Sequence, residues 1–179
     1  ASVRVGIIQC AADHPSILAC RGIYAKSVVE AWDYQGGTLT RRWHFDSDNP
    51  GCGNYAAQGY HSLYVGDMDG DGLDEMCYGS MTLDHDGSPL YVSGAKNGVE
   101  TVLRGAADDP DFHGYGHGDA LRLGKFLPDR DGLQIWSCFE TGDYGAALRA
   151  AATGETLWCI KNSNDVGRCC VADIFPEYP

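Results

Sequence analysis

The apolar residues of the chain fall in short runs broken by glycine, aspartate, asparagine and proline. The segments "SILAC" (16–20), "YAKSVVEAW" (24–32), "TLTRRWHF" (38–45), "HSLYVGDM" (61–68), "DEMCYGS" (74–80), "ALRLGKF" (120–126), "LQIWSCF" (133–139), "AALRAA" (146–151), "ETLWCI" (155–160) and "RCCVADI" (168–174) each read as a strand. Clusters such as "YQGG", "DGDG", "DHDG" and "ATGE" supply turns between them. No long stretch repeats its apolar positions at helical intervals, and 24 glycines weigh against extended helices. The pattern predicts an all-β chain.

A coarse repeat refines that expectation. "HSLYVGDMDGDGLDEMCYG" (61–79) returns in degenerate form as "DALRLGKFLPDRDGLQIWS" (119–137), and "GRCCVADIFPEYP" (167–179) looks like a third start. A strand, an acidic turn and a second strand recurring at about 50 residues is the pattern of β-propeller blades. The 179 residues hold roughly two to three blades, whereas a closed ring needs at least about four. The chain therefore belongs to a larger ring or stacks on other copies; a β-sandwich is the competing architecture. A start at Ala1 rather than Met, and an end at "DIFPEYP" in mid-pattern, suggest a piece of a longer polypeptide.

Charge narrows the partners. A net charge of −12 argues against nucleic acid and anionic membrane surfaces, which need positive protein surface. No stretch approaches the roughly 18 apolar residues of a membrane span. An acidic polymer as substrate would need a cation between it and this chain. The eight cysteines form no CxxC pair, so a zinc ribbon has little support. Scattered and even in number, they suggest disulfides in an oxidising compartment, with buried free thiols as the other reading. Cys169 and Cys170, adjacent on an expected strand, would point to opposite faces and seek different partners.

The stretch "DMDGDGLDE" (67–75) concentrates five acids in nine positions. Carboxylates this close repel one another unless a hard cation sits among them. Alternating Asp67, Asp69 and Asp71 can face inward, with the Leu73 carbonyl and Glu75 completing an oxygen shell and Gly72 permitting the sharp turn. That is calcium chemistry; a solvated Asp/Gly hairpin turn is the plainer alternative. The following "EMCYG" predicts a strand, unlike the exiting helix of an EF-hand. In the second copy Lys125 and Leu127 replace the first two aspartates, so no ion is expected there. A second constellation comes from "GHGDA", where His117 and Asp119 share one side of a strand, while His61 heads the preceding unit in the equivalent place. These three can meet at a ring axis, or be ordinary surface residues. By ligand type alone they suit zinc or manganese before calcium, and with His113 they would make a zinc hydrolase.

Taken in order, "HPSILACRGIYAKSVVEAWDY", "YAAQGYHSLYVGDMDGDGLDEMCYGSMTLDHDGS", "GHGDAL" and "AATGETLW…NDVGRCCVADIFPEYP" resemble the rhamnogalacturonan lyases of polysaccharide lyase family eleven over nearly the whole chain. The resemblance implies an eight-bladed propeller with bound calcium ions, secreted to the cell exterior, that cleaves the acidic pectin backbone by β-elimination. It implies an active-site calcium held by His61 of "AAQGYH", His117 and Asp119 of "GHGDA", and Glu140 of "WSCFE". It also implies a structural calcium at Asp67, Asp69, Asp71 and Glu75, and a substrate contact for Arg21 in the "RG" turn.

Some features depart from the family. The chain covers only the middle of the propeller, as one partial domain over 1–179, and residues that grip substrate lie in segments absent here. A segment at 95–115, "AKNGVETVLRGAADDPDFHGY", reads as an insertion placed to reshape or cap the site, and the cysteine content exceeds that of bacterial members. The catalytic base stays open among Lys26, Arg21, Arg168 and a water molecule. The expectation is a calcium-dependent lyase when other segments or copies complete the ring. The alternative is a noncatalytic, calcium-stabilised extracellular structural or carbohydrate-binding module.

Overall fold

The computed structural model describes residues 3–172 as fourteen strands in three antiparallel sheets. The first sheet is a meander of β1 (Val3–Ile8), β2 (Ser16–Arg21), β3 (Val28–Gln35) and β4 (Thr38–Asp46) in sequence order. The second runs β5 (Tyr64–Gly66), β6 (Glu75–Tyr78), β7 (Met81–Leu83) and β8 (Pro89–Lys96), and adds β9 (Val99–Arg104) and β10 (Phe112–Gly114), both paired to β8. The third is again a meander, of β11 (Leu121–Gly124), β12 (Gln134–Cys138), β13 (Ala146–Ala150) and β14 (Thr156–Ile160). Among the described residues the only helical element is a 3-10 turn at Gly53–Tyr55, and no helix is long and apolar enough to cross a membrane. The chain is all-β, as its apolar pattern predicts.

The middle sheet is buried on both faces. Ile8, Leu18, Val29, Phe45 and Tyr55 pack against Met76, Met81, Leu83 and Val92 on one side. Tyr60, Cys77 and Tyr115 pack against Leu121, Ile135, Phe139 and Ala147 on the other. Residues of β6 and β7 are consequently buried at every position, and period-two alternation vanishes there. The outer faces differ: Val3, Val5 and Ile7 alternate outward along β1 at 55%, 67% and 63% exposure, and Trp158 and Ile160 of β14 are half-exposed at the far end.

Two expectations need correcting. Arg168–Ala172 carry no strand, so the opposite-face argument for Cys169 and Cys170 fails; the rest of "RCCVADI" and the third repeat start lie outside the described residues. The eight cysteines are all free thiols, and no disulfide joins any pair. The reason is their placement. Cys10, Cys20 and Cys52 are spent as small apolar groups in the first cluster, Cys77 in the second and Cys138 in a third beyond the outer sheet. Burial raises the thiol pKa of Cys10, Cys20, Cys52 and Cys77, which keeps them protonated and inert. The 95–115 segment forms the end of β8, then β9 and β10, and belongs to the second sheet.

One buried cation bolts the second and third sheets together. Arg149 of β13 is fully buried and donates to the carbonyls of Gly79 (2.9 Å) and Ser80 (3.5 Å) and to the hydroxyls of Ser93 (3.0 Å) and Ser137 (3.2 Å). Arg149→Met keeps most of the volume but removes the charged donor from two carbonyls and two hydroxyls; the Ser80 carbonyl keeps the Ser93 N–H (2.9 Å) and the Gly79 carbonyl only the Cys77 thiol (3.3 Å). Thermal unfolding should show a loss of about 3 kcal/mol, since a hydrogen bond to a charged group is worth roughly 1.5–3 kcal/mol. An unchanged Tm would mean these contacts contribute nothing net.

Candidate metal centre

The chain passes from the first sheet to the second through Gln58–His61, and Gly59 is the point of closest approach. A Cβ there would lie 2.0 Å from the Gly22 carbonyl oxygen and 2.6 Å from the Tyr78 ring, so only glycine fits. Its own carbonyl, 2.5 Å from His117 Nδ1, fixes the neighbouring imidazole. A carbonyl can only accept, so Nδ1 carries a proton and Nε2 is the nitrogen left to face Glu140. That Nε2 is buried, has no hydrogen-bond partner, and lies 3.2 Å from Glu140 Oε1.

Glu140 follows β12 and is tied to the same loop by its backbone N–H, which donates to the His117 carbonyl at 3.0 Å. Its other oxygen accepts from the Tyr24 hydroxyl at 3.2 Å, and the Tyr24 ring meets His117 edge-on at 4.5 Å between centroids. Desolvation first, and then the charge of Glu140, raises the Tyr24 phenol above its ordinary pKa. His61 stands 5.0 Å from His117 between ring centroids, nearly perpendicular to it. Arg4 grips His61 twice, donating to its carbonyl at 2.6 Å and contacting Nδ1 at 2.7 Å. A guanidinium only donates, so Nδ1 accepts and Nε2 faces Asp119 Oδ1 at 3.2 Å. The second Asp119 oxygen pairs with Arg168 at 2.6 Å.

His61, His117 and Asp119 thus bring ligand-capable atoms within 4.8 Å of one another, with Glu140 against His117. A bare ring nitrogen facing a carboxylate oxygen is repulsive unless a cation or a second proton stands between them. The donor set of imidazole and carboxylate fits a divalent ion. An open cavity of about 360 Å³ adjoins it, bordered by Tyr24, Gln58, His113, His117 and Thr141.

The acidic loop is a second such place. Asp67 takes the backbone N–H of Gly70 (2.7 Å) and Gly72 (3.1 Å), and Asp71 takes that of Leu73 (2.8 Å), with Gly70 and Gly72 both at positive φ. Asp67, Asp69 and Asp71 form one close group, and Asp71 forms another with Glu75 and His85. Glu75 is fully buried: one oxygen accepts from Met68 N at 2.6 Å while the other has no partner. Burial, and secondarily the charge of Asp69, raises its pKa to about 7. Asp74 turns away and accepts from Gln9 N at 2.8 Å.

The remaining candidates are elsewhere. Arg21 is exposed at the end of β2, with only its neighbour Gly22 reaching the site through Gly59. Lys26 is held by Asp46 (2.7 Å) and Asp48 (2.8 Å), hydrogen bonds that raise its pKa and make it a poor base. His113 borders the cavity but is not in the ligand cluster, so the zinc arrangement that includes it is not assembled. Tyr24, Arg4 and His85 were not singled out by sequence. Tyr24 stands three positions after Arg21 in "RGIYAKS", which is the one hint the chain carried.

Residues 4–179 match the family model described as rhamnogalacturonan lyase family 11, C-terminal domain. The chain is 43% identical over 168 residues to the rhamnogalacturonan exolyase YesX of Bacillus subtilis (strain 168), covering 93% of this chain and 24% of that protein. It is 39% identical over 176 residues to the rhamnogalacturonan endolyase YesW of the same organism, covering 97% of this chain and 25% of that protein. The crystal structure of rhamnogalacturonan lyase YesW superposes with a TM-score of 0.84 at 38% identity, over 99% of this chain and 27% of the other. The chain therefore spans about a quarter of the length of the curated relatives it matches.

Proposed function

The chain belongs to rhamnogalacturonan lyase family 11, within its C-terminal domain, and from that premise we propose that it is the metal-bearing part of a secreted, calcium-dependent lyase that cleaves rhamnogalacturonan by β-elimination. The observation that carries the reading is the buried, partnerless Nε2 of His117 set against Glu140. A purely structural module has no use for that arrangement, although the acidic loop alone would serve one. The three sheets are three consecutive blades of a larger propeller. The apolar rows left open on β1 and on β14 support this, since each has the character of a face awaiting a further sheet.

His61, His117, Asp119 and Glu140 would hold the active-site ion, and Asp67, Asp69, Asp71 and Glu75 a structural one. When bound, the first ion supplies neutralisation of the uronate carboxylate, which makes the adjacent C5 proton easier to remove before the C4–oxygen bond breaks. The residues of the chain do the positioning. Gly59 holds the His117 tautomer with Nε2 free. Tyr24 steadies one oxygen of Glu140 from the rim, and Arg168 balances Asp119. For His61 to offer Nε2 as a ligand, its proton must move to Nδ1, which requires Arg4 to release that atom. Lys26 is withdrawn from proton transfer by its two aspartates.

The test uses the complete natural polypeptide with rhamnogalacturonan. An unsaturated uronide should accumulate, stop on addition of a calcium chelator and resume with excess calcium. Hydrolysis to saturated products, or activity indifferent to the chelator, would overturn the proposal.

A further inference from the structure

Cys138 and Cys169 are set apart from the other six thiols. Cys138 closes β12 and is fully buried, while Cys169, half-buried, comes from the segment beyond β14. Both thiols donate to the same backbone oxygen, that of Ala120, at 3.6 Å and 3.4 Å. They share one apolar cluster with Ala120, Ala146, Trp136 and Val166. The segment that carries Cys169 is already pinned nearby, by Val166 N donating to the Phe139 carbonyl at 3.2 Å and by Arg168 on Asp119 at 2.6 Å.

We propose that Cys138 and Cys169 are a cystine-forming pair that, on exposure to a low-molecular-weight disulfide, locks the segment after β14 onto the third sheet. The half-buried Cys169 exchanges first, taking one half of the small disulfide and releasing the other half as a thiol. Cys138 then attacks the Cys169 sulfur and displaces the second small thiol. The chain loses two protons and two electrons, and the small disulfide takes them up to become two thiols. The bridge closes a loop that contains β13 and β14, and it holds Arg168 beside Asp119. The pairing stands on these contacts and does not depend on the lyase reading.

The experiment incubates the folded full chain with oxidised and reduced glutathione, then unfolds it in denaturant, blocks remaining thiols with iodoacetamide and measures intact mass. Six of the eight cysteines should take the label, and a non-reduced digest should join the Cys138 peptide to the Cys169 peptide. The oxidised form should melt about 5–10 °C above the reduced one, the range expected for a bridge closing a loop of this size. Cys169→Ser, at a half-buried site that should still fold, must abolish both the link and the shift; Cys170→Ser must abolish neither. Full labelling of every cysteine under oxidising conditions, or a bridge to any other partner, would overturn the assignment.

Discussion

His117→Asn, made in the complete enzyme, should lower lyase turnover by about a hundredfold or more while leaving the fold intact, the scale set by loss of one preorganised electrostatic contact in an active site. The asparagine amide can still donate to the Gly59 carbonyl, because it occupies the place of the ring Nδ1. What it lacks is an atom where Nε2 stood. The stability cost should stay near 1 kcal/mol, that of a repacked polar side chain whose hydrogen bond survives. Calorimetric titration should show one high-affinity calcium event fewer than in the parent. If turnover held within a few-fold, His117 would have no part in the chemistry and the metal centre proposed here would fall with it.

The second large effect concerns Glu75 and pH. Its pKa in the fold, about 7, lies above the ordinary 4.5. Without a bound ion the folded state therefore favours the protonated form. The stability contributed by this group is fully present below pH 4.5 and is lost as pH rises through 7, by about 3 kcal/mol for a shift of this size. Asp33, held near 2 by Arg42, and Glu30 and Asp46, also lowered, change stability only at more acid pH, so among these carboxylates the window from 4.5 upward belongs to Glu75. In chelator, Tm should fall between pH 5 and pH 7. Saturating calcium should remove that fall, adding about 3 kcal/mol at a concentration a hundred times Kd. Glu75→Gln should flatten the pH profile and abolish the calcium response. A profile in chelator that is already flat would show that the loop does not need an ion.

The acidic loop was legible because its chemistry is local: three alternating aspartates, a glycine at positive φ and a buried glutamate lie within one turn. The proposed metal centre was legible only in part. Its four residues come from three separate connections, and spacing alone could bring together His61, His117 and Asp119 but not Glu140, which the family resemblance supplied. Tyr24 and Arg4 were invisible for a physical reason. They act from the first sheet, one on an unread strand and one in a turn whose closeness to His117 depends on Gly59 packing on Gly22. The strands that were missed also follow a rule. β7 is buried at every position, so the run through Leu83 shows no alternation, and β9 is exposed at Val99, Glu100 and Arg104, so "NGVETVLRG" resembles a surface insertion.

The seam at Gly59 has a consequence for how this architecture can be divided. Tyr24 and Arg4 arrive from one sheet, His61 and His117 from connections flanking the next, and Glu140 from the third. The cluster is thus a joint rather than a pocket carved in any one layer. Its alignment is as good as the worst fit between neighbouring layers, and a half-molecule cut at either boundary would keep well-formed strands yet lose the geometry on which the proposed ion would depend.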